Sequence, residues 1–216
     1  MDTGKLVGYL KGLRAHNTKL WFDAHRDKYD FLRADFSDFV QDIISRIAVF
    51  DPAVRYVTAK EAMYRINRDI RFSKDKTLYK TNFGAGIGPG GKKGAQAGYH
   101  FHIDASGTLL VAGGLYMAEP AQVDAIRRSI DRQPKTLQAI IAAPAFRRAF
   151  GQLDHDDQLK KPPRGFAPTH PAIDLLKLRH YAAWAEVRAG RESAKHIVEF
   201  SRGLYPLVKY LRLASS

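Results

Sequence analysis

Residues 81–117 read TNFGAGIGPGGKKGAQAGYHFHIDASGTLLVAGGLYM, and their pattern decides the fold. Apolar residues alternate with polar residues or glycine over residues 81–87 and 99–103, and residues 108–117 form a further apolar run. A period of two residues is typical of β-strands that bury one face. Because the connections between these strands are short, we predict that they pair antiparallel.

Weaker strand patterns occur at residues 62–66 and residues 178–187 (LRHYAAWAEV). With them, the sequence predicts a central, mainly antiparallel sheet of about four or five strands.

Helices are predicted on both sides of this sheet in the chain. Apolar residues recur at three- and four-residue steps between Leu32 and Ile47, the pattern of an amphipathic helix. Asn17 is predicted to cap the helix that begins after it, and two helices are predicted near the C-terminus. Prolines are predicted at further helix starts: Pro120, Pro134, Pro144 and Pro171. The fold class is therefore α+β, and residues 1–216 are expected to form a single domain.

Composition narrows the classes of function. The chain has 216 residues, no cysteine and a formal net charge of +13. The lack of cysteine excludes disulfides, thiol catalysis and Cys-ligated metal centres. The sequence has no run of about 20 apolar residues and no signal-peptide pattern, so we expect a cytoplasmic protein without a membrane contact.

Almost half of the net charge lies in residues 60–93, which hold nine basic and three acidic side chains. Seven of these nine basic residues lie in residues 60–82, KEAMYRINRDIRFSKDKTLYKTN, which we name the basic segment. Its acids and aromatic residues are interleaved with lysines and arginines, which is typical of a folded surface. A clustered positive charge favours phosphates and polyanions. We therefore predict an anion site here, and the alternative is a solvated loop whose charges pair with one another.

The candidate residues follow from this hypothesis. Asp69, Asp75 and His102 are candidate catalytic groups, as acid, base or metal ligand, and the two aspartates could also orient the arginines. The candidate ligand-binding residues are basic, hydroxyl, amide or aromatic side chains of the basic segment and one arginine of a later basic cluster: Arg65, Arg68, Arg71, Ser73, Lys74, Lys76, Tyr79, Lys80, Asn82 and Arg164.

Two other patterns carry weaker hypotheses. Residues 86–93, GIGPGGKK, approach two phosphate-binding motifs, but a strand follows where both motifs need a helix. A Gly-rich hairpin whose lysines close over a ligand is the better interpretation. His100 and His102 share a strand face and could bind a metal, but the sequence shows no third ligand, so we assign no metal site. The sequence does not identify a cofactor.

The motif at residues 65–82, RINRDIRFSKDKTLYKTN, resembles the signature of a family catalogued as domain of unknown function 2461. The resemblance extends to NTKLWFDAHRDKY, GYHFHI, the GGLYM strand and LKKPPRGFAPTHP. His102 fits the family pattern, whereas Leu78 stands where proline is common and His100 where an aromatic or apolar residue is more usual. The resemblance implies a site on this segment and brings no activity with it.

Three hypotheses of function remain open. The first is a module that binds a phosphate-bearing ligand, either a nucleotide or a nucleic acid, whose bases Tyr64, Phe72 and Tyr79 could stack. The second is an enzyme that acts on a small phosphorylated or carboxylated substrate. The third is a structural role, in which Arg65, Arg68 and Asp69 form a buried ion network.

Overall fold

A four-stranded antiparallel sheet organises the fold. The computed structural model describes residues 1–71 and 74–215. The strands lie side by side in chain order: β1 (Asn82–Ile87), β2 (Gly98–Asp104), β3 (Thr108–Leu115) and β4 (Tyr181–Arg188). Buried and half-buried residues alternate along β2 and β3, as a period of two requires. The predicted α+β class and the antiparallel sheet are confirmed.

Within the described ranges the chain forms nine α-helices. They are α1 (Thr3–Ala15), α2 (Lys19–Ala24), α3 (Arg26–Ala48), α4 (Ala59–Ala62), α5 (Pro120–Arg132), α6 (Pro134–Ala142), α7 (Pro144–Phe150), α8 (Ile173–Leu176) and α9 (Ser193–Ala214). The amphipathic helix expected around residues 32–47 is α3, and α5, α6 and α7 each begin at the expected proline.

The prediction of a strand at residues 62–66 is wrong. Thr58 and Glu61 form a capping box that starts α4, and this helix holds Ala62. In the part of the chain that the structure describes, the residues beyond α4 pair antiparallel through isolated bridges, Met63 to Ala85 and Asn67 to Tyr79. Ala62, the first residue of the expected strand, is therefore the last residue of α4.

Two helix expectations also need correction. Thr18 caps α2, because its side chain accepts a hydrogen bond from the backbone N–H of Trp21 at 3.3 Å, and Asn17 does not cap it. The two helices expected near the C-terminus are one continuous helix, α9, with Pro206 inside it. Leu204, Leu207 and Leu211 are fully buried, and this burial offsets the backbone hydrogen bond that the proline removes.

The chain forms two compact units. The first comprises Met1–Gly94, His100–Val111 and Glu186–Glu199. Its core includes Phe36, whose ring centroid lies 5.3 Å from that of Phe83 and 6.0 Å from that of Phe101.

The second unit comprises Ala95–Tyr99, Ala112–Ala185 and Phe200–Ser216. Within it, the Tyr181 hydroxyl donates to the carbonyl oxygen of Leu175 at 3.0 Å. The expectation that residues 1–216 form one domain stays a prediction. Over the described ranges, none of the helices has the length and apolar character needed to cross a bilayer.

Candidate functional site

The part of the basic segment between Arg68 and Leu78, which we name the basic loop, is closed at its base by backbone hydrogen bonds. The N–H of Arg68 donates to the carbonyl of Leu78 at 3.0 Å, and the N–H of Lys80 donates to the carbonyl of Ile66 at 2.8 Å. These two bonds place the start and the end of the loop side by side. Phe72 and Ser73, a stacking candidate and a ligand-binding candidate, lie outside the described residues.

Asn17 holds the end of the basic loop in place. Its Oδ1 accepts from the N–H of Tyr79 at 2.9 Å, and its Nδ2 donates to the carbonyl oxygen of Tyr79 at 2.9 Å. The Tyr79 ring is buried and stacks on Phe22, with ring centroids 4.2 Å apart. Because this face of the ring packs on the core, the structure favours a core role for Tyr79 over contact with a ligand.

The acids of the basic loop pair with its arginines. Asp69 accepts from Arg71 Nε at 3.0 Å and from Arg71 Nη2 at 2.7 Å. Asp75 accepts from the N–H of Thr77 and from Arg68, which also donates to Oγ1 of Thr77 at 2.7 Å.

These contacts bear on the structural hypothesis and on the catalytic candidates. Among the described residues, Arg65 and Asp69 are exposed and Arg68 is half-buried, so the expected network of these three residues is not buried. A structural role of the segment stays a prediction. The hydrogen bonds from Arg71 lower the pKa of Asp69, and the backbone hydrogen bond from Thr77 lowers the pKa of Asp75. Both carboxylates are therefore ionised at neutral pH and suited to orient arginines.

A cleft of about 440 Å³ lies beside the base of the loop, and we name it the basic cleft. It is lined by Arg68, Asp69, Lys80, Thr81 and Asn82, of which all but Thr81 are candidate residues from the sequence. Burial lowers the pKa of Lys80, and the positive charges of Arg65 and Arg68 lower it further. Among the described residues, no carboxylate forms an ion pair with Lys80. The cleft thus holds a half-buried ammonium group that has no ion-pair partner among the described residues.

Next to the basic cleft, four polar side chains meet on one sheet face. The Lys80 Nζ atom lies 5.1 Å from the centroid of the Tyr64 ring, and this ring lies 5.6 Å from the ring of His100. His100 Nε2 and His102 Nδ1 are 3.0 Å apart, a hydrogen-bond distance. We name Tyr64, Lys80, His100 and His102 the polar face.

Glycines of β1 make room for the polar face. A Cβ atom at Gly84 would lie 2.8 Å from the Cβ of His102, and one at Gly86 would lie 2.7 Å from the Tyr64 hydroxyl. Such distances are shorter than carbon atoms tolerate. Gly84 and Gly86 are therefore part of the construction of this face.

Both histidines of the polar face are neutral at pH 7. Burial, together with the nearby His102 and the charge of Lys80, lowers the pKa of His100 to about 4. Burial also lowers the pKa of His102, although the negative charges of Asp104 and Glu186 oppose the shift. A neutral imidazole donates one hydrogen bond and accepts another.

The sequence placed His100 and His102 on one strand face, and their alternation along β2 agrees with this. It missed that Tyr64 and Lys80 lie beside them. The proximity of Tyr64 and Lys80 to them depends on pairing between distant segments, which periodicity does not show.

Other candidate residues lie apart from the basic cleft or are held by the protein. Lys74 is exposed, and Lys76 donates to the carbonyl of Ile70 at 3.0 Å. Lys92 of the Gly-rich hairpin donates to the carbonyls of Lys60 and Glu61, at 3.0 and 3.1 Å, so this ammonium anchors the hairpin.

Arg164 is an exposed residue of the second unit, whereas the other candidates belong to the first. Over residues 1–71 and 74–215, no group of three or more His, Asp or Glu side chains has the arrangement of a metal site.

A comparison with models of protein families identifies the family to which this chain belongs. The model of the family described as "Conserved hypothetical protein (DUF2461)" matches residues 5–210. The chain belongs to this family. The resemblance expected from the basic segment is thereby confirmed, and the DUF2461 match covers the basic cleft, the polar face and nearly all of the fold. No curated protein and no solved structure matches the chain significantly.

Proposed function

We propose that this DUF2461 protein binds a phosphate-bearing ligand, a nucleotide or a nucleic acid, in the basic cleft. The observation that carries the proposal is Lys80, a half-buried ammonium group at a cleft that Arg68 also lines. A bound phosphate would lie among these cations and offset their mutual repulsion.

The uncharged lining of the cleft supports the same ligand. Thr81 and Asn82 bring a hydroxyl and an amide to the cavity wall. Both groups donate hydrogen bonds to phosphate oxygens. Asp69 also lines the cleft, but its charge is offset by the two hydrogen bonds from Arg71. The balance of charge around the cleft is therefore positive.

The proposal assigns the first contacts with the ligand to fewer basic residues than the sequence alone suggested. Lys80 and Arg68 line the cleft, although Arg68 is also paired with Asp75. Arg71, which is held by Asp69, and Lys76, which is held by a backbone carbonyl, are not part of the lining. Arg68 and Lys80 are accordingly the first contacts of the ligand. The proposal retains the cytoplasmic location that the sequence favours.

The test compares two lysine variants for phosphate binding. Lys80→Met removes the ammonium group from the cleft, and Lys28→Met removes the same charge from an exposed position on α3 where no described residue forms an ion pair with it. Isothermal titration calorimetry with inorganic phosphate, a nucleoside monophosphate and a short RNA measures the affinity. We expect Lys80→Met to weaken binding about tenfold, which corresponds to about 1.4 kcal/mol, and Lys28→Met to leave it unchanged.

The salt dependence of the affinity distinguishes a nucleic acid from a small phosphate-bearing molecule as the ligand. Affinity for RNA falls steeply between low and high salt because counterions are released, whereas affinity for a single phosphate group changes much less. No binding of any of the three probes to the wild type at low salt would refute the proposal. An equal loss in the two lysine variants would refute the basic cleft as the site.

A further inference from the structure

A second cavity, of about 690 Å³, lies in the same unit as the basic cleft, and we name it the α1 cavity. Its wall is formed by one face of α1, by the β2–β3 turn and by the residues that end and follow β4. The positively charged side chains of this wall are Lys11, Arg188 and Arg191, and all three are exposed. Among the described residues, none of these side chains has an ion-pair or hydrogen-bond partner. The three cations are therefore available to an anionic ligand.

The negative charges near these cations are fewer, and two of them are engaged by the protein. Asp2, the acid in the wall of the cavity, caps α1 by accepting from the N–H of Lys5 at 3.0 Å. Asp104, at the β2–β3 turn, accepts from two backbone N–H groups, both at 2.9 Å. Glu186 is exposed on β4 and adds one negative charge. The balance of charge in the wall of the α1 cavity is positive, because it holds three basic side chains and one acidic side chain.

Two backbone hydrogen bonds connect the α1 cavity to the basic cleft along one end of the sheet. The carbonyl oxygen of Thr81, which lines the cleft, accepts from the N–H of Ala105 at 3.0 Å. Ser106 and Gly107 follow in the chain and line the cavity. The carbonyl oxygen of Gly107 accepts from the N–H of Ala189, another residue of the cavity wall, at 2.9 Å. Ala105 thus links the wall of the cleft to the wall of the cavity.

The cations along this end of the sheet extend from β1 to β4. Lys80 lies two residues before β1, and Arg188 is the last residue of β4. Since the strands lie in the order β1-β2-β3-β4, three strand spacings of about 4.8 Å, or about 14 Å, separate the two strands. One phosphate group can contact one end of this row. A stacked strand of about four nucleotides, at about 3.4 Å each, extends along all of it.

We propose that the basic cleft and the α1 cavity bind different phosphates of one single-stranded nucleic acid, which lies along this end of the sheet. Lys80 and Arg68 contact the strand at one end of the row. Lys11, Arg188 and Arg191 contact it at the other end. A single strand can bend into both spaces, whereas a duplex is stiff over this length because its persistence length is about 150 base pairs. The inference rests on the proposed function, and it narrows the ligand from any phosphate-bearing molecule to a strand.

The test measures the binding of labelled oligouridylates of two and six nucleotides by fluorescence anisotropy. The wild type should bind the hexamer more than about tenfold more tightly than the dimer, because the hexamer reaches the α1 cavity. Lys11→Met/Arg188→Met should lose most of this preference. The slope of log K against log salt for the hexamer should also become shallower by about 1.4, since each phosphate contact contributes about 0.7. The control Lys28→Met/Lys135→Met, which removes two exposed charges without ion-pair partners among the described residues, should leave preference and slope unchanged.

Gly8→Leu blocks the α1 cavity without removing a charge. Gly8 lies in the wall of the cavity, and a Cβ atom there would meet no atom within 4 Å. Because leucine favours a helix more than glycine does, this variant should fold at least as stably as the wild type. We expect it to bind the hexamer about tenfold more weakly than the wild type does.

The outcomes separate the inference from the proposed function. If the wild type binds the dimer and the hexamer equally, or if Lys11→Met/Arg188→Met binds the hexamer as the wild type does, the inference is overturned and the basic cleft stands. If neither oligonucleotide nor inorganic phosphate binds the wild type at low salt, the proposed function and the inference fall together. An equal loss of hexamer affinity in the control would indicate unspecific attraction by net charge and would also overturn the inference.

Discussion

Asn17 provides the sharpest test of how the basic loop is held. In Asn17→Ala, the N–H and the carbonyl of Tyr79 both lose a hydrogen bond of 2.9 Å. Tyr79 is buried, with 6% of its surface exposed, so its backbone groups have little access to water. The loss of stability therefore includes a cost for leaving these groups unpaired.

The magnitude follows from these two bonds. An unpaired buried group costs about 1–3 kcal/mol, and a net hydrogen bond contributes about 1 kcal/mol. Asn17 itself is half-buried, so water enters on truncation and the lower end of the range applies. We expect Asn17→Ala to lower the free energy of unfolding by about 2 kcal/mol. In a protein of this size, that loss lowers the Tm by about 4–8 °C.

The assay is urea unfolding followed by circular dichroism and by tryptophan fluorescence. With an m-value of about 2–3 kcal/mol per molar urea, the midpoint should fall by about 0.8 M. Gln152→Ala, which removes an exposed amide without a described hydrogen-bond partner, should leave it unchanged. A midpoint for Asn17→Ala within error of the wild type would refute the clamp on Tyr79, and so would an equal fall in both variants.

Two further predictions concern the polar face. Gly84→Ala should lower the Tm, because the new Cβ would lie 2.8 Å from the Cβ of His102. The control is Gly8→Ala on α1, where the new Cβ meets open space, and this change should raise the free energy of unfolding by about 0.5–1 kcal/mol. Equal Tm values of the two variants would contradict the close packing at Gly84. His100 should stay neutral in an NMR titration until about pH 4, because burial lowers its pKa. The unfolded chain takes up this proton near pH 6.5, so His100 lowers the free energy of unfolding as the pH drops from about 6.5 to about 4. His100→Gln should reduce the dependence of the free energy of unfolding on pH in this range. A folded-state pKa near 6.5 would contradict the burial.

Local patterns predicted the elements well where the backbone itself determines them. The alternation in β2 and β3 matches their burial, and the proline starts of α5, α6 and α7 are correct. These patterns work because one-sided burial and the fixed φ angle of proline act within a few residues.

The same reasoning failed where two local interpretations compete. Ala62 alternates with its neighbours as a strand residue would, but the Thr58–Glu61 capping box places it in α4. Asn17 is a good capping residue, yet Thr18 caps α2. Periodicity and residue preference describe what a segment can do, and contacts elsewhere in the molecule select among the options.

For the site, the sequence by itself determined where the cluster of positive charge lies, with acids and aromatic residues among its lysines and arginines, between β1 and the helices before it. The signature of the family lies on the same residues. Only the tertiary structure decided which of these residues meet. It packs Tyr79 on Phe22, and it brings Lys80 and Tyr64 to the histidines of β2. The physical reason is that such contacts join residues far apart in the chain, where spacing along the sequence carries no information about distance in space.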